Sequence, residues 1–343
     1  MLRQQDVGHR IVVRRIVGIR EGRTLFSDAL GELVELSETH ITLSTDAGPL
    51  RVPVAEVHRA KRVPPARRPT AAAVVALELA ADEAWPAPVR GRLGDWRLRW
   101  ADGWTGRANS ALPVGDPDRP LPAALDAVQR WYAERGGSAL VNTPLPLAAP
   151  VGAELDARGW TSRPPVLVQT VPLRTLTAPP EAVPADVHPG RVATPAAADP
   201  PPPASLAGTP PVTLTGAPTD DWLAICAGRK GGLPDAARHV LTAVDRVRFA
   251  ELRVDGRALA IGRGTVTGEG RWLGLSLLEV LPEARRRGFA TAVVRALAGW
   301  GADEGAVRAF LQVEQSNTGA VTLYRRLGFT THHTYLTRVA PAA

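Results

Sequence analysis

The stretch Val280-Leu281-Pro282-Glu283-Ala284-Arg285-Arg286-Arg287-Gly288-Phe289-Ala290-Thr291 decides the fold. Before it, residues 271–280 are apolar and follow turn glycines at 268 and 270, which predicts a strand that Pro282 ends. After it, residues 290–301 are rich in Ala, Val and Leu, which predicts a helix. A strand, a glycine turn and a helix N-terminus aim backbone amides and the positive end of the helix dipole at one spot. Such a spot holds a phosphate or pyrophosphate. Gly288 lets the backbone approach the oxygens, and the three arginines add charge. An arginine cluster beside a glycine is also a common solvated loop, so this segment needs support from elsewhere.

The support lies downstream. Residues 307–313 read as another strand, followed by Asn317-x-x-Ala320-x-x-Leu323-Tyr324-x-x-x-Gly328-Phe329. Asn317 can cap a helix that Gly328 ends, and Ala320, Leu323 and Tyr324 share one face of it. Arg285-x-x-Gly288-x-Ala290 resembles the pyrophosphate loop of the GNAT superfamily of N-acyltransferases, with Ala290 where many members carry Gly. Residues 317–329 resemble that superfamily's second signature. The dense match covers about 75 residues, 211–343 more loosely.

The resemblance implies an α/β fold whose two central strands splay apart to take acyl-CoA, with acetyl-CoA as co-substrate and no metal. Backbone groups of Leu278, Glu279 and Val280 would pair with the pantetheine arm. Arg285, Arg286, Arg287, Gly288, Phe289, Ala290 and Thr291 would hold the pyrophosphate. Asn317 would touch the cofactor or fix its helix. Transfer to a neutral amine needs a base, oxyanion donors and an acid for the departing thiolate. The Val280 N–H is the oxyanion candidate. Tyr324, protonated at neutral pH, is the candidate acid; the competing reading is a core aromatic. The base is open. Gln312 cannot serve. Glu314 is carried forward as a catalytic candidate beside Glu279, although each also reads as a solvated strand-end carboxylate. His332, His333 and a water relay are further possibilities. The basic, Gly-rich segment 227–234 is expected to be a mobile loop that shapes the acceptor site.

The chain also repeats. Trp131 and Trp300 close similar helices, Gly159 and Gly328 follow the next ones, and 300 − 131 and 328 − 159 are both 169. At this shift Leu112-Pro113 falls on Leu281-Pro282 and Leu167 on Leu336, with no gap from 111 to 172. The phosphate loop, however, falls on Asp116-Pro117-Asp118-Arg119-Pro120-Leu121. Its acids would repel pyrophosphate and its prolines remove donors. Asn317 maps to Ala148 and Tyr324 to Leu155. The first copy is therefore read as keeping the fold, packing against the second copy and doing no catalysis. This plan resembles mycothiol synthases, which lack the N-terminal block found here, so their substrate is not carried over.

That block, residues 1–65, shows short alternating runs at 9–17, 31–36, 40–44 and 49–54, with turns at Glu21-Gly22 and Asp46-Ala47-Gly48. A small SH3-like β-barrel is expected. The domain reading is barrel 1–65, degenerate GNAT-like copy 70–173, Pro/Ala-rich linker 174–210 and catalytic GNAT copy 211–343.

Composition narrows the rest. The 343 residues carry 41 basic and 34 acidic side chains, for a formal charge of +7. Only Lys61 and Lys230 are lysines. Arginine beside abundant Ala, Pro and Gly is a coding bias, so the basicity favours an anionic ligand such as CoA rather than nucleic acid. The single cysteine, Cys226, sits in an apolar helical run and reads as a packed thiol. No run approaches the ~20 apolar residues of a membrane helix, and no secretory signal is evident, so a cytoplasmic setting is expected. The leading reading is an N-acetyltransferase acting on a primary amine of a small molecule or protein. The rival is an acyl-CoA-sensing module whose barrel, with Arg10, Arg14, Arg15 and Arg20, docks a protein or nucleic acid.

Overall fold

The computed structural model describes residues 2–20, 23–45, 48–63, 69–178, 210–230 and 232–341. They form two compact units divided after Arg68. In the first, β1 (Arg10–Arg20), β2 (Arg23–Leu36), β3 (His40–Thr45), β4 (Gly48–Pro53) and β5 (Val57–Arg62) make one antiparallel sheet ordered β4-β3-β2-β1-β5. Ile11, Val13, Leu33, Ile41, Leu43 and Val52 bury one face. Among the described residues β4 and β5 are the ends of the ladder, so the expected barrel is an open sheet here. The sequence gives little sign that β2 begins at Arg23, because Phe26 and Leu30 point outward and Ser27 inward, against the usual polarity. Residues 21–22 and 46–47, where two turns are expected, lie outside the described residues.

The second unit opens with the first copy: α1 (Ala71–Glu83), β6 (Val89–Leu93), β7 (Trp96–Trp100), α2 (Leu121–Ala133), β8 (Leu140–Leu145), α3 (Ala149–Ala157), β9 (Thr161–Ser162), β10 (Val166–Pro172) and α4 (Leu173–Thr177). The second copy follows: β11 (Val212–Thr215), α5 (Asp220–Lys230), α6 (Asp235–Thr242), β12 (Val247–Val254), β13 (Arg257–Thr267), β14 (Trp272–Val280), α7 (Phe289–Asp303), β15 (Arg308–Glu314), α8 (Thr318–Arg326) and β16 (Thr330–Val339). Residues 174–177, assigned to the linker by composition, are the helix α4, with Leu173 and Leu176 in the core. The Pro-rich remainder, 179–209, lies outside the described residues.

The repeat is visible in the elements. A shift of 169 lays α3 residue for residue on α8 and centres α2 on α7. The two copies do not stand side by side. They share one sheet, ordered β11-β12-β13-β14-β15-β10-β16-β8, with β9 also on β16. First-copy β10 thus lies between β15 and β16, and β16 reaches back between β10 and first-copy β8. The register confirms an exchange. Val166 pairs with Tyr335, its own repeat equivalent, and the pairs Gln169–Thr331 and Ser162–Arg338 map onto each other. A local twofold relation therefore passes between Val166 and Tyr335.

One face of the sheet carries α7, α8 and α4 over a core that includes Phe289, Val293, Leu297, Leu311 and Phe329. The opposite face carries α5 and α6, with first-copy Trp85 and Trp104 packed under them and Cys226 buried there. Polar side chains stitch the copies together. Thr267 Oγ1 donates to the Ala80 carbonyl at 2.9 Å, and Thr337 Oγ1 to Asn142 Oδ1 at 2.9 Å. Arg263, fully buried, donates to the carbonyls of Leu241, Val240 and Ala84, closing the C-terminal ends of α6 and α1. Burial, and then Arg107, push its pKa down to about 9, which leaves it charged at neutral pH. No helix among the described residues is long and apolar enough to cross a membrane.

Candidate active site

β14 and β15 pair in parallel from Trp272–Arg308 to Leu275–Leu311 and no further. The cause is a bulge. On the other edge of β14, Ile261 faces Glu279 but Arg263 faces Ser276, so Leu277 and Leu278 oppose the single residue Gly262. Leu277 adopts φ 52°, a strained value for a γ-branched residue. Such a bulge bends its strand and adds twist, which carries the end of β14 away from β15. Two features hold it. The Trp222 indole N–H donates to the Gly262 carbonyl at 3.2 Å, and a Cβ at Gly262 would stand 2.6 Å from Val293.

Past the bulge, no described strand pairs with the β15-facing edge of β14. The Leu281 N–H donates to Leu259 O at 3.0 Å on the β13 side, so strand alternation turns the Val280 N–H toward the open wedge. The Val280 carbonyl accepts from Arg285 Nε at 3.3 Å. The chain then makes one 3₁₀ turn, Pro282–Ala284, and enters α7 through Gly288 at φ 82°. The first helical bond runs from Ala292 N–H to Gly288 O, and no side chain caps the helix. The amides of Phe289, Ala290 and Thr291 are therefore left for a ligand. The Phe289 side chain is buried and anchors the turn, so only its backbone is left to offer a ligand. Arg285, Arg286 and Arg287 are exposed around this point; Arg285 Nη2 is 3.8 Å from Glu279, and Arg287 lies over the Phe289 ring.

Asn317 caps α8, its Oδ1 accepting the Ala320 N–H at 3.2 Å, which is the helix-fixing of the two roles considered for it. Tyr324 is half-buried on the α7/α8 face, its ring edge-on to Phe329 at 5.8 Å. Alternation puts Glu279 on the opposite face, where with Asp221, Ala224, Ile225, Arg257 and Arg285 it lines a groove of about 530 Å³ beside α5. Glu314 falls on that same face from β15, at its exposed end. The two arms of the wedge thus carry one carboxylate each. Segment 227–234 differs from expectation: residues 227–230 continue α5, and Gly231 lies outside the described residues.

The histidines are placed elsewhere. His333 is buried with Nε2 2.7 Å from Glu78 Oε1 of α1, and its Nδ1 meets His332 Nδ1 at 2.8 Å. Neither lines the groove. Burial first, then His333, pushes His332 down to about 4 from 6.5. Between those values the unfolded chain binds the extra proton, so this stabilisation is complete above pH 6.5 and is lost toward pH 4. Tm is expected to fall through that window, and His332→Asn to flatten the slope. An identical slope in the variant would assign the acid limb to other groups.

Gln312 is occupied from both copies: first-copy Arg107 Nη1 donates to its Oε1 at 2.5 Å, and Tyr335 Oη of its own copy to the same atom at 3.3 Å. Arg107 also lies over the Trp85 ring. This reach across the copies, like the bulge at Leu277 and its clamp Trp222, is missed by sequence reasoning. The repeat led to the expectation that the copies pack together, but not to which side chains meet.

Comparison with known proteins places this geometry. The family described as "Probable histone acetyltransferase Rv0428c C-terminal" matches residues 71–194 and 166–337, which together take in nearly all of both copies. The probable histone acetyltransferase Rv0428c of Mycobacterium tuberculosis is 30% identical over 270 residues, 76% of this chain and 72% of that protein. The uncharacterized N-acetyltransferase YobR of Bacillus subtilis is 44% identical over 66 residues, 19% of this chain and 27% of that one. A GCN5-related N-acetyltransferase from Kribbella flavida shares the fold, with TM-score 0.55 and 16% identity over 81% of this chain and 98% of its own. The wedge, the uncapped helix behind Gly288 and these likenesses agree: the chain has the GNAT fold, is an acetyltransferase and belongs to the Rv0428c C-terminal family.

Proposed function

We propose that the second copy transfers acetyl from acetyl-CoA to a primary amine, and that residues 70–173 are a non-catalytic copy. One observation carries the reading: the β15-facing edge of β14 beyond Leu275, which no described strand pairs, leads through one 3₁₀ turn to the uncapped N-terminus of α7. Backbone groups of Leu278, Glu279 and Val280 would pair with an extended pantetheine arm as a strand does, and the amides at 289–291 would take the pyrophosphate. When bound, acetyl-CoA supplies the thioester carbon that the amine attacks. The Val280 N–H would donate to the oxygen that gains charge there.

Acid and base then lie on opposite faces of the sheet. Tyr324 is on the α7/α8 side, where its hydroxyl donates a proton to the leaving thiolate. Glu279 is in the groove on the α5 side, where it takes a proton from the incoming amine, directly or through water. Glu314 faces the same side, but its exposed position gives it the weaker claim. The acceptor enters along the groove. The histone in the name of the Mycobacterium relative makes a lysine peptide one arm of the test beside polyamines, amino sugars and amino acids.

Thiol release from acetyl-CoA across that panel tests the reading. Tyr324→Phe is expected to lower kcat by about 10²-fold with acetyl-CoA affinity unchanged, the size of a lost general acid. Glu279→Gln should lose rate most at neutral pH and recover as pH rises and more free amine is present, while Glu314→Gln stays near wild type. Full activity in Glu279→Gln with loss in Glu314→Gln would move the base to β15. Acetyl-CoA binding with no turnover on any amine would reject the proposal.

A further inference from the structure

We infer that the first copy holds a ligand site of its own, a cavity under the β6–β7 hairpin that takes a phosphate group. The two strands pair with Arg90 opposite Arg99 and Arg92 opposite Arg97. Alternation sends all four side chains to one face, while Leu93 and Trp96 enter the core with α2 and α3 on the other. Like charges directly opposed destabilise a strand pair. Here two such pairs stand in succession, on a face that opens onto a cavity of about 340 Å³.

Asp82 is the one acid lining the cavity. It is buried, 3.2 Å from Arg99 and 3.7 Å from Arg90. Arg97 donates to the Asp95 backbone carbonyl, and among the described residues neither Arg97 nor Arg92 meets a carboxylate. Four positive charges therefore share one negative charge. Arg99 is only 2% exposed and its donors are spent inside the wall, Nε on Ser110 O and Nη2 on Ser110 Oγ, each at 2.9 Å, and Nη1 on Asp82, so it engages the buried carboxylate and leaves the three outer arginines for a ligand. Arg90, Arg92 and Arg97 line the cavity outside it, as the guanidinium groups a ligand can meet.

The chemistry selects the ligand. A dianionic phosphate offers enough oxygens for two or three guanidinium forks at once, whereas a carboxylate satisfies one. The volume admits a phosphate and a small molecule attached to it but does not enclose a polymer. The location has a precedent within the chain. This cavity lies on the face of the first copy away from α2 and α3, as the acceptor groove lies on the face of the second away from α7 and α8. The duplication left two hollows, and the first turned cationic. The inference rests on the hairpin and not on the role given to the groove.

The test uses the full chain saturated with CoA, so that the amides behind Gly288 are filled. Inorganic phosphate is titrated by calorimetry and its effect on Tm recorded, for wild type and for Arg92→Ala/Arg97→Ala. Wild type is expected to bind one phosphate and to melt higher with it. The double variant should bind it about tenfold more weakly or worse, keep its CoA affinity, and melt above wild type when no phosphate is present, because the opposed charges are gone. Acetate should bind wild type about tenfold more weakly than phosphate. Absence of binding in wild type, phosphate binding that survives the double substitution, or equal binding of acetate would each overturn the assignment.

Discussion

Gly288→Asp is expected to raise the KM for acetyl-CoA by about 10²-fold or more while leaving Tm close to wild type. Two effects act in opposite directions on the fold. The residue sits at φ 82°, where a side chain costs about 1–2 kcal/mol. Aspartate is also among the better N-cap residues and would satisfy amides that now lack a partner, returning about 1 kcal/mol. Stability nearly cancels. Binding does not, because the same cap fills the phosphate position with a negative charge. Acetyl-CoA titration by calorimetry beside a melting curve separates the two. Affinity within threefold of wild type would mean that the pyrophosphate is held elsewhere.

The second large effect concerns independence. Residues 210–343 expressed alone contain every candidate catalytic residue, yet no cooperative melting and no turnover are expected from them. The fragment lacks β10, so β15 and β16 lose the strand between them. It also loses Val168, Val171, Leu173 and Leu176, all at most 2% exposed. At about 1.5–3 kcal/mol for each buried aliphatic side chain, that loss is comparable to the whole stability of a typical domain. Co-expression with residues 69–178 should restore a soluble, active complex. A monomeric fragment that melts cooperatively and turns over would show that the exchange is dispensable.

Much of the second copy was legible because its motif residues act locally. Gly288 and Asn317 announce a helix entry and a cap within a few positions, and both stand where the spacing puts them. The constant shift of 169 likewise anticipated the matched helices, because insertions would have broken it. What could not be read depends on partners distant in sequence. Nothing local marks Leu277 as a bulge, since its strain is set by Gly262 and Trp222. His333 reads as a possible acceptor-side base until Glu78, 255 positions away, is seen to hold it. The N-terminal sheet was under-read for another reason: Phe26 and Leu30 face outward, so burial and polarity disagree along β2.

The exchange of β10 has a consequence during synthesis. β10 leaves the ribosome complete at Pro172, but neither strand it pairs with exists until Glu314 has been added. At roughly 5–20 residues per second, Val166-Leu167-Val168-Gln169-Thr170-Val171 waits about 7–28 s with both edges unpaired. It is a short apolar strand with high β-propensity and no charge, the composition that self-associates most readily. Translation speed across residues 173–314 therefore bears directly on yield. Slower elongation or a pause in that interval lengthens the exposure, and a holding chaperone has its clearest target there.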